Sequence, residues 1–201
     1  MPVHSLTLRE KGQIRNAKNS NFQFGNWKYN EYMQGQDVAL LLKLAMQGDP
    51  RVPSKDLADG LFISPSEVSK SLKRSAESGL LHIAKGEKRV NRSALMEFLS
   101  HGLRYVFPPV KGSLVRGVPT AVAAAPLKSR FLDNDDPPDV WPYAEGDVRG
   151  IAFPPLYKGA PQAALKDPGF YRVLALCDAI RGGRTRERNL AIELLGKELN
   201  A

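Results

Sequence analysis

Residues 54–81, SKDLADGLFISPSEVSKSLKRSAESGLL, read as two short helices joined by a tight turn. Leu57, Ala58 and Leu61 recur at i, i+1 and i+4, which gives one apolar stripe on a first helix with Ser54 as its N-cap. Ile63 closes the turn into the core. Ser64 then offers a second N-cap, with Pro65 at the first helical position and Glu67 three residues after the cap, the spacing of a capping box. At about 100° per residue, Val68, Leu72, Ser75 and Ala76 fall on the inner face of helix 64–78. Ser66, Lys70, Lys73 and Glu77 lie opposite, flanked by Ser69 and Arg74. A helix entering a DNA major groove needs short hydroxyls near its N-terminus, so that the backbone approaches, and cations beyond them to reach bases and phosphates. An ordinary solvated helix face carries the same residue types, and the next segment favours the first reading.

Gly79 stops the helix, residues 80–84 read as a strand, and Lys85 with Gly86 turns the chain into a return strand over Glu87–Val90. The order helix, helix, turn, helix, hairpin resembles the winged helix-turn-helix family, most closely its MarR-like branch. The residues that carry the resemblance are LAxxLxIS at 57–64, VSxxLKR at 68–74 and Gly79-Leu80, within a match over residues 37–104. Phe62 stands where such turns usually have glycine, and Ser71 where many recognition helices bury an aliphatic side chain. The resemblance implies a sequence-specific regulator of transcription on double-stranded DNA. Helix 64–78 would read the major groove with Ser64, Ser66, Ser69, Lys70, Lys73 and Arg74, and wing 80–90 would contact the backbone with Lys85, Lys88 and Arg89. MarR-like proteins dimerise through terminal helices, so a homodimer is implied as well.

The chain has 201 residues, 42% hydrophobic and 25% charged, the composition of a folded globular protein rather than a disordered one. No apolar run approaches the ~18 residues of a membrane span, and the first residues lack the apolar core of a signal peptide, so a cytoplasmic protein without membrane contact is expected. The single Cys177 excludes an intrachain disulfide and is expected to be a buried, inert thiol. Of the net charge of +8, residues 51–92 carry half, with nine cations against five acids. Residues 130–150 run the other way, and that acidic segment is not expected to face phosphate.

Four segments follow. Residues 1–36 are a polar, basic arm whose Phe22, Phe24, Trp27, Tyr29 and Tyr32 either pack on another element or follow DNA. Residues 37–104 are the winged domain, with a first helix over 37–47 (Val38, Leu41, Leu42 and Ala45 inward, Leu40 and Leu44 widening the stripe) and a last one capped by Asn91 or Ser93 and running to about Arg104. Residues 105–166 hold most of the prolines and yet many large apolar residues, so they read as an extended arm applied to the domain or to a partner subunit, or as a loosely ordered linker. Residues 167–201 read as a helical hairpin around Gly182-Gly183, with Thr185 capping the last helix and Arg181, Arg184, Arg186 and Arg188 clustered at the turn, where they touch phosphate, acidic protein or only water, solvated charge being the favoured reading. The expected fold is therefore mainly α with a small β-wing, plus a proline-rich arm and a terminal hairpin that finds its remaining core in a second copy.

The sequence has no Walker loop, GxGxxG, GxSxG, HExxH or CxxC, and His82 and His101 stand alone, so no catalytic residue, cofactor or metal is expected. DNA-binding regulator is the leading reading. The alternative is a protein-interaction module, antitoxin-like or an assembly partner of a co-encoded protein. Single-stranded or RNA binding lacks an aromatic platform beside the basic face.

Overall fold

The computed structural model describes residues 32–131 and 136–200; of the arm expected over residues 1–36, residues 1–31 lie outside them, and the last two already belong to the first helix. Three helices come first, α1 (Gly35–Gln47), α2 (Ser54–Leu61) and α3 (Pro65–Glu77), followed by a hairpin of β1 (Leu81–Ala84) and β2 (Glu87–Val90). A broken helix, α4 (Arg92–Glu97) and α5 (Leu103–Val106), leads to a second sheet of β3 (Leu114–Pro119), β4 (Asp139–Pro142) and β5 (Val148–Ala152). The chain ends in α6 (Ala160–Lys166), α7 (Pro168–Gly182) and α8 (Thr185–Asn200). Helix dominates, and both sheets are small.

Helix α1 is the axis of the first half. Every residue from position 38 to 45 is buried, because α2, α3, β2, α7 and α8 surround it, and a helix apolar on all sides belongs inside. Leu40, Leu41 and Leu42 are fully buried, each contributing roughly 1.5–3 kcal/mol over an exposed position. Lys43 is the cation in this run, and it survives by placing Nζ 2.6 Å from Asp167 and over the Phe170 ring.

The turn between α2 and α3 passes through Phe62 at φ 54°, ψ 43°, a left-handed conformation that costs a non-glycine residue roughly 1–2 kcal/mol. The ring offsets that cost by packing against the core, with the Lys166 ammonium 4.6 Å from its centre. Helix α2 begins at Ser54 itself, and Pro53 holds the cap position; Ser54 is therefore not the cap. The hairpin turns through Lys85 and Gly86, both at positive φ, as a two-residue loop between twisted strands requires.

The helix expected after the hairpin exists, and Asn91 caps it by accepting from the Ala94 N–H. It is not regular. Residues Phe98–Gly102 form a π turn between α4 and α5. Leu95, Leu99 and Leu103, all fully buried, are spaced by four, and a wider turn keeps that spacing on one line where a 3.6-residue period would drift off it.

The proline-rich segment is neither an extended arm nor a linker. Strand β3 pairs antiparallel with both β4 and β5, which pair parallel with each other over two residue pairs, so the three strands close on themselves. Closure at this size brings backbones together: a Cβ on Gly117 would stand 2.0 Å from the Trp141 carbonyl oxygen, and one on Gly150 2.0 Å from that of Pro138. Pro119 and Pro142 sit at strand ends, where no ladder donor is lost.

This unit docks on α7. Thr120 Oγ1 and Trp141 Nε1 donate to Asp178 at 2.8 and 2.5 Å, and Tyr171 Oη donates to the Pro119 carbonyl. Burial pushes the Asp178 carboxyl upward, against the pull of Arg181, Thr120 and Trp141. Arg181 was expected in solvent and is instead buried, with Nη1 2.6 Å from Asp178 and further bonds to the carbonyls of Phe107 and Pro154. A buried carboxylate one turn earlier on the same helix draws it inward.

Helices α7 and α8 form the expected hairpin. Thr185 opens α8, and the cap is made by Glu187, which accepts from the Arg184 N–H at 2.7 Å. Residues 170 and 173–181 of α7 are buried within this one chain, so its apolar surface needs no second copy to cover it. Cys177 is fully buried there, and burial pushes its thiol pKa up.

Candidate nucleic-acid interface

Helix α3 begins as the sequence predicts. Ser64 Oγ accepts from the Glu67 N–H at 3.2 Å, with Pro65 following. The reciprocal half of the capping box is absent. Glu67 turns outward and accepts from Lys70 Nζ at 2.8 Å and from Gln36 Nε2 at 2.6 Å, which together hold its carboxyl below the ordinary range.

Ser64, Ser66, Ser69, Lys70 and Lys73 are exposed, and with Pro65 they make a continuous outer face. Ser69 donates to the Pro65 carbonyl, as hydroxyls one turn into a helix often do. Lys70 pairs with Glu67, and Lys73 lies 3.6 Å from Glu77. Exposed pairs of this kind contribute only about 0.3–0.5 kcal/mol, so either lysine exchanges its local partner for another anion at small cost.

Arg74 does not belong to that face. It is buried, and its guanidinium grips Asp37 of α1 with two bonds of 2.7 Å, Nε to Oδ2 and Nη2 to Oδ1. Ser71 Oγ donates to Asp37 Oδ1 at 2.5 Å, and the Gln34 N–H donates to Oδ2 at 2.7 Å. Four donors thus satisfy one fully buried carboxylate. Ser71 replaces an aliphatic residue here because α3 meets a charge at this point of α1, not a hydrocarbon. Asp37 itself carried a usable signal: it stands in the first turn of a helix whose next eight residues are apolar except Lys43, and a buried acid needs a cation nearby. Arg74 stands at the edge of the α3 stripe that faces α1.

On the hairpin, the period of two decides which cations are free. Leu81 pairs with Val90, and Ile83 with Lys88, so Lys88 shares the inner face with Leu81 and Val90. Its Nζ donates to the Val52 carbonyl at 2.7 Å, and its N–H to Pro50, also at 2.7 Å. Lys88 therefore ties the hairpin to the loop before α2, and its ammonium is engaged within the chain. Arg89 lies on the outer face with His82 and is exposed, although it pairs with Glu87 at 2.7 Å. Arg51 reaches the same carboxylate at 3.1 Å, and the two guanidinium groups, Arg89 first, hold Glu87 below its ordinary pKa. Lys85 at the hairpin tip is exposed and makes no ion pair among the described residues.

Of nine residues expected at the interface, the structure leaves Ser64, Ser66, Ser69, Lys70, Lys73, Lys85 and Arg89 accessible, and commits Arg74 and Lys88 to internal contacts. Sequence reasoning missed Gln36 and Asp37, which position Glu67 and Arg74 from α1. Among the described residues no three His, Cys, Asp or Glu side chains converge as metal ligands, and no helix is long and apolar enough to cross a membrane. No protein-family model, curated protein or solved structure matches the chain.

Proposed function

We propose that residues 35–106 act as a winged helix-turn-helix module of the MarR-like kind, and that the protein is a regulator binding double-stranded DNA. The observation that carries this reading is the outer face of α3: hydroxyls at its N-terminal end, Lys70 and Lys73 beyond them, all exposed with no other described element packed over them, and a backbone fixed from behind by the Asp37–Arg74 pair. In this reading Ser66 and Ser69 let α3 approach base edges, Lys70 and Lys73 reach bases and phosphate, and Lys85 and Arg89 steady the hairpin on the backbone. A homodimer belongs to the reading through the family resemblance, and would place two recognition helices about one DNA turn apart on a pseudo-palindrome.

The interaction-module reading draws on a different observation. Lys70, Lys73 and Arg89 each stand within 3.6 Å of a carboxylate of the same chain, so the face is charge-balanced in the free protein and also suits a protein partner of mixed charge.

Selection from a pool of random duplexes separates the two. DNA binding predicts an enriched site, protected in footprinting, whose affinity falls about tenfold or more on Lys70→Ala with Lys73→Ala. A pool that stays random, together with a stoichiometric complex with a co-encoded protein, favours the interaction module.

A further inference from the structure

Residues 148–166 contain Arg149, Lys158 and Lys166 and no acid. The last part of this stretch packs against the helix-turn-helix, although the second sheet separates the two in sequence. The Leu156 carbonyl meets Gly35 at the start of α1 so closely that no Cβ fits there. A Cβ on Gly159 would stand 2.5 Å from the Leu61 carbonyl oxygen and 3.0 Å from that of Phe62, so the backbone at 159 lies directly on the turn between α2 and α3. Helix α6 then packs on α2 and brings Lys166 Nζ to 4.6 Å from the centre of the Phe62 ring.

Two cations of the C-terminal half therefore stand beside the turn, Lys158 next to Gly159 and Lys166 over Phe62. Both are exposed, and neither makes an ion pair among the described residues. Of the acids on the elements that meet here, Glu67 is engaged by Lys70 and Gln36, and Asp167 by Lys43. Asp56 and Asp59 are exposed on α2, and neither pairs with either lysine. Position decides what the lysines meet. In a helix-turn-helix on DNA the N-terminal end of the second helix enters the groove while the first crosses the backbone, so the turn between them lies at the groove edge, among phosphates. An ammonium resting on a ring still has N–H donors that point away from it. We infer that Lys158 and Lys166 hold duplex phosphate at the edge of the groove that α3 enters, so that the C-terminal half supplies part of the DNA surface. The inference rests on the DNA-binding reading of α3 and extends it to residues outside 35–106.

The test uses the full chain and two fluorescein-labelled duplexes, one of selected and one of unrelated sequence, followed by fluorescence anisotropy. Lys158→Gln with Lys166→Gln is expected to weaken binding of both duplexes by the same factor, about tenfold or more at ~0.1 M salt, and to leave their ranking unchanged. Lys158→Arg with Lys166→Arg keeps both charges and the contact with the Phe62 ring, and is expected to bind as the wild type does. Lys158→Gln alone removes a side chain that makes no ion pair, so it should melt with the wild type and still lose about threefold or more in affinity. Glutamine variants that bind as the wild type does, while Lys70→Ala with Lys73→Ala loses affinity, overturn the inference and leave the reading of α3 standing. A loss that arginine fails to restore also overturns it, because it marks a structural role. A wild-type protein that binds no duplex at ~50 mM salt overturns both.

Discussion

The two halves of this protein each bury one carboxylate against one arginine, and they use the pair differently. In the first half Asp37 and Arg74 come from different helices, and the bidentate contact staples α1 to α3 beneath a face whose side chains are exposed. In the second half Asp178 and Arg181 share a single turn of α7, and the long-range contacts come from neutral donors, Thr120 and Trp141, and from the carbonyls that Arg181 caps. The first pair joins two helices and leaves the far side of α3 exposed. The second closes a sheet onto a helix whose residues 173–181 are all buried. A buried ion pair is thus no guide to function until its surroundings are known, since what matters is whether the elements it joins still present a free surface.

Breaking the first pair should have the largest effect. Arg74→Ala leaves Asp37 charged and buried with only Ser71 and the Gln34 N–H as donors, a loss of about 3–5 kcal/mol, read as a drop in the midpoint of urea unfolding. If Arg74 were a surface residue the change would stay within about 0.5 kcal/mol. Trp141→Phe probes the second pair more gently. It keeps most of the ring packing and removes one donor to a carboxylate that retains Thr120 and Arg181, for an expected loss of about 1–3 kcal/mol, with the circular dichroism of the helices preserved.

The contact between the halves is smaller again and depends on pH. Burial alone would raise the Asp167 carboxyl, but Lys43 and the N–H groups of Phe170 and Gly169 outweigh it and hold the pKa below the ordinary value. A depressed folded pKa gives stability that is present above the unfolded value of about 3.9 and is lost as pH falls through the folded one. Asp167 also caps α7. Asp167→Asn keeps a capping oxygen and removes only the charge facing Lys43, so it should cost about 0.2–1 kcal/mol at pH 7, and the difference from wild type should shrink as pH is lowered below about 4. A difference that does not change with pH would mean that the Lys43 contact carries no charge-dependent stability.

The same contrast explains what could be read from sequence. The start of α3 was legible because Ser64 and Pro65 obey local rules, although Glu67 leaves the capping box half made, and the hairpin because Lys85-Gly86 suits the turn it makes. Arg74 and Lys88 were misplaced because both are cations that turn inward toward partners set by tertiary contact, Asp37 and the Val52 carbonyl. For Lys88 the alternation with Leu81 and Val90 already marked the inner face. The closed β unit was missed for a different reason: prolines argue against helix but do not exclude short strands that end on them, and Gly117 and Gly150 signal close backbone approach only once the crossing strands are known. The π turn at Phe98–Gly102 follows from packing Leu95, Leu99 and Leu103 together, which no local preference encodes.

The central claim, that the outer face of α3 and the hairpin hold duplex phosphate, is tested most directly by the salt dependence of DNA affinity. With Lys70, Lys73, Lys85 and Arg89 as the available cations, log affinity should fall against log salt with a slope of about −3 to −4 for each copy bound. Lys70→Ala with Lys73→Ala should flatten that slope by about two while leaving the melting temperature within a few degrees of wild type. A slope that the double substitution leaves unchanged, or no duplex binding at ~50 mM salt, would contradict the account.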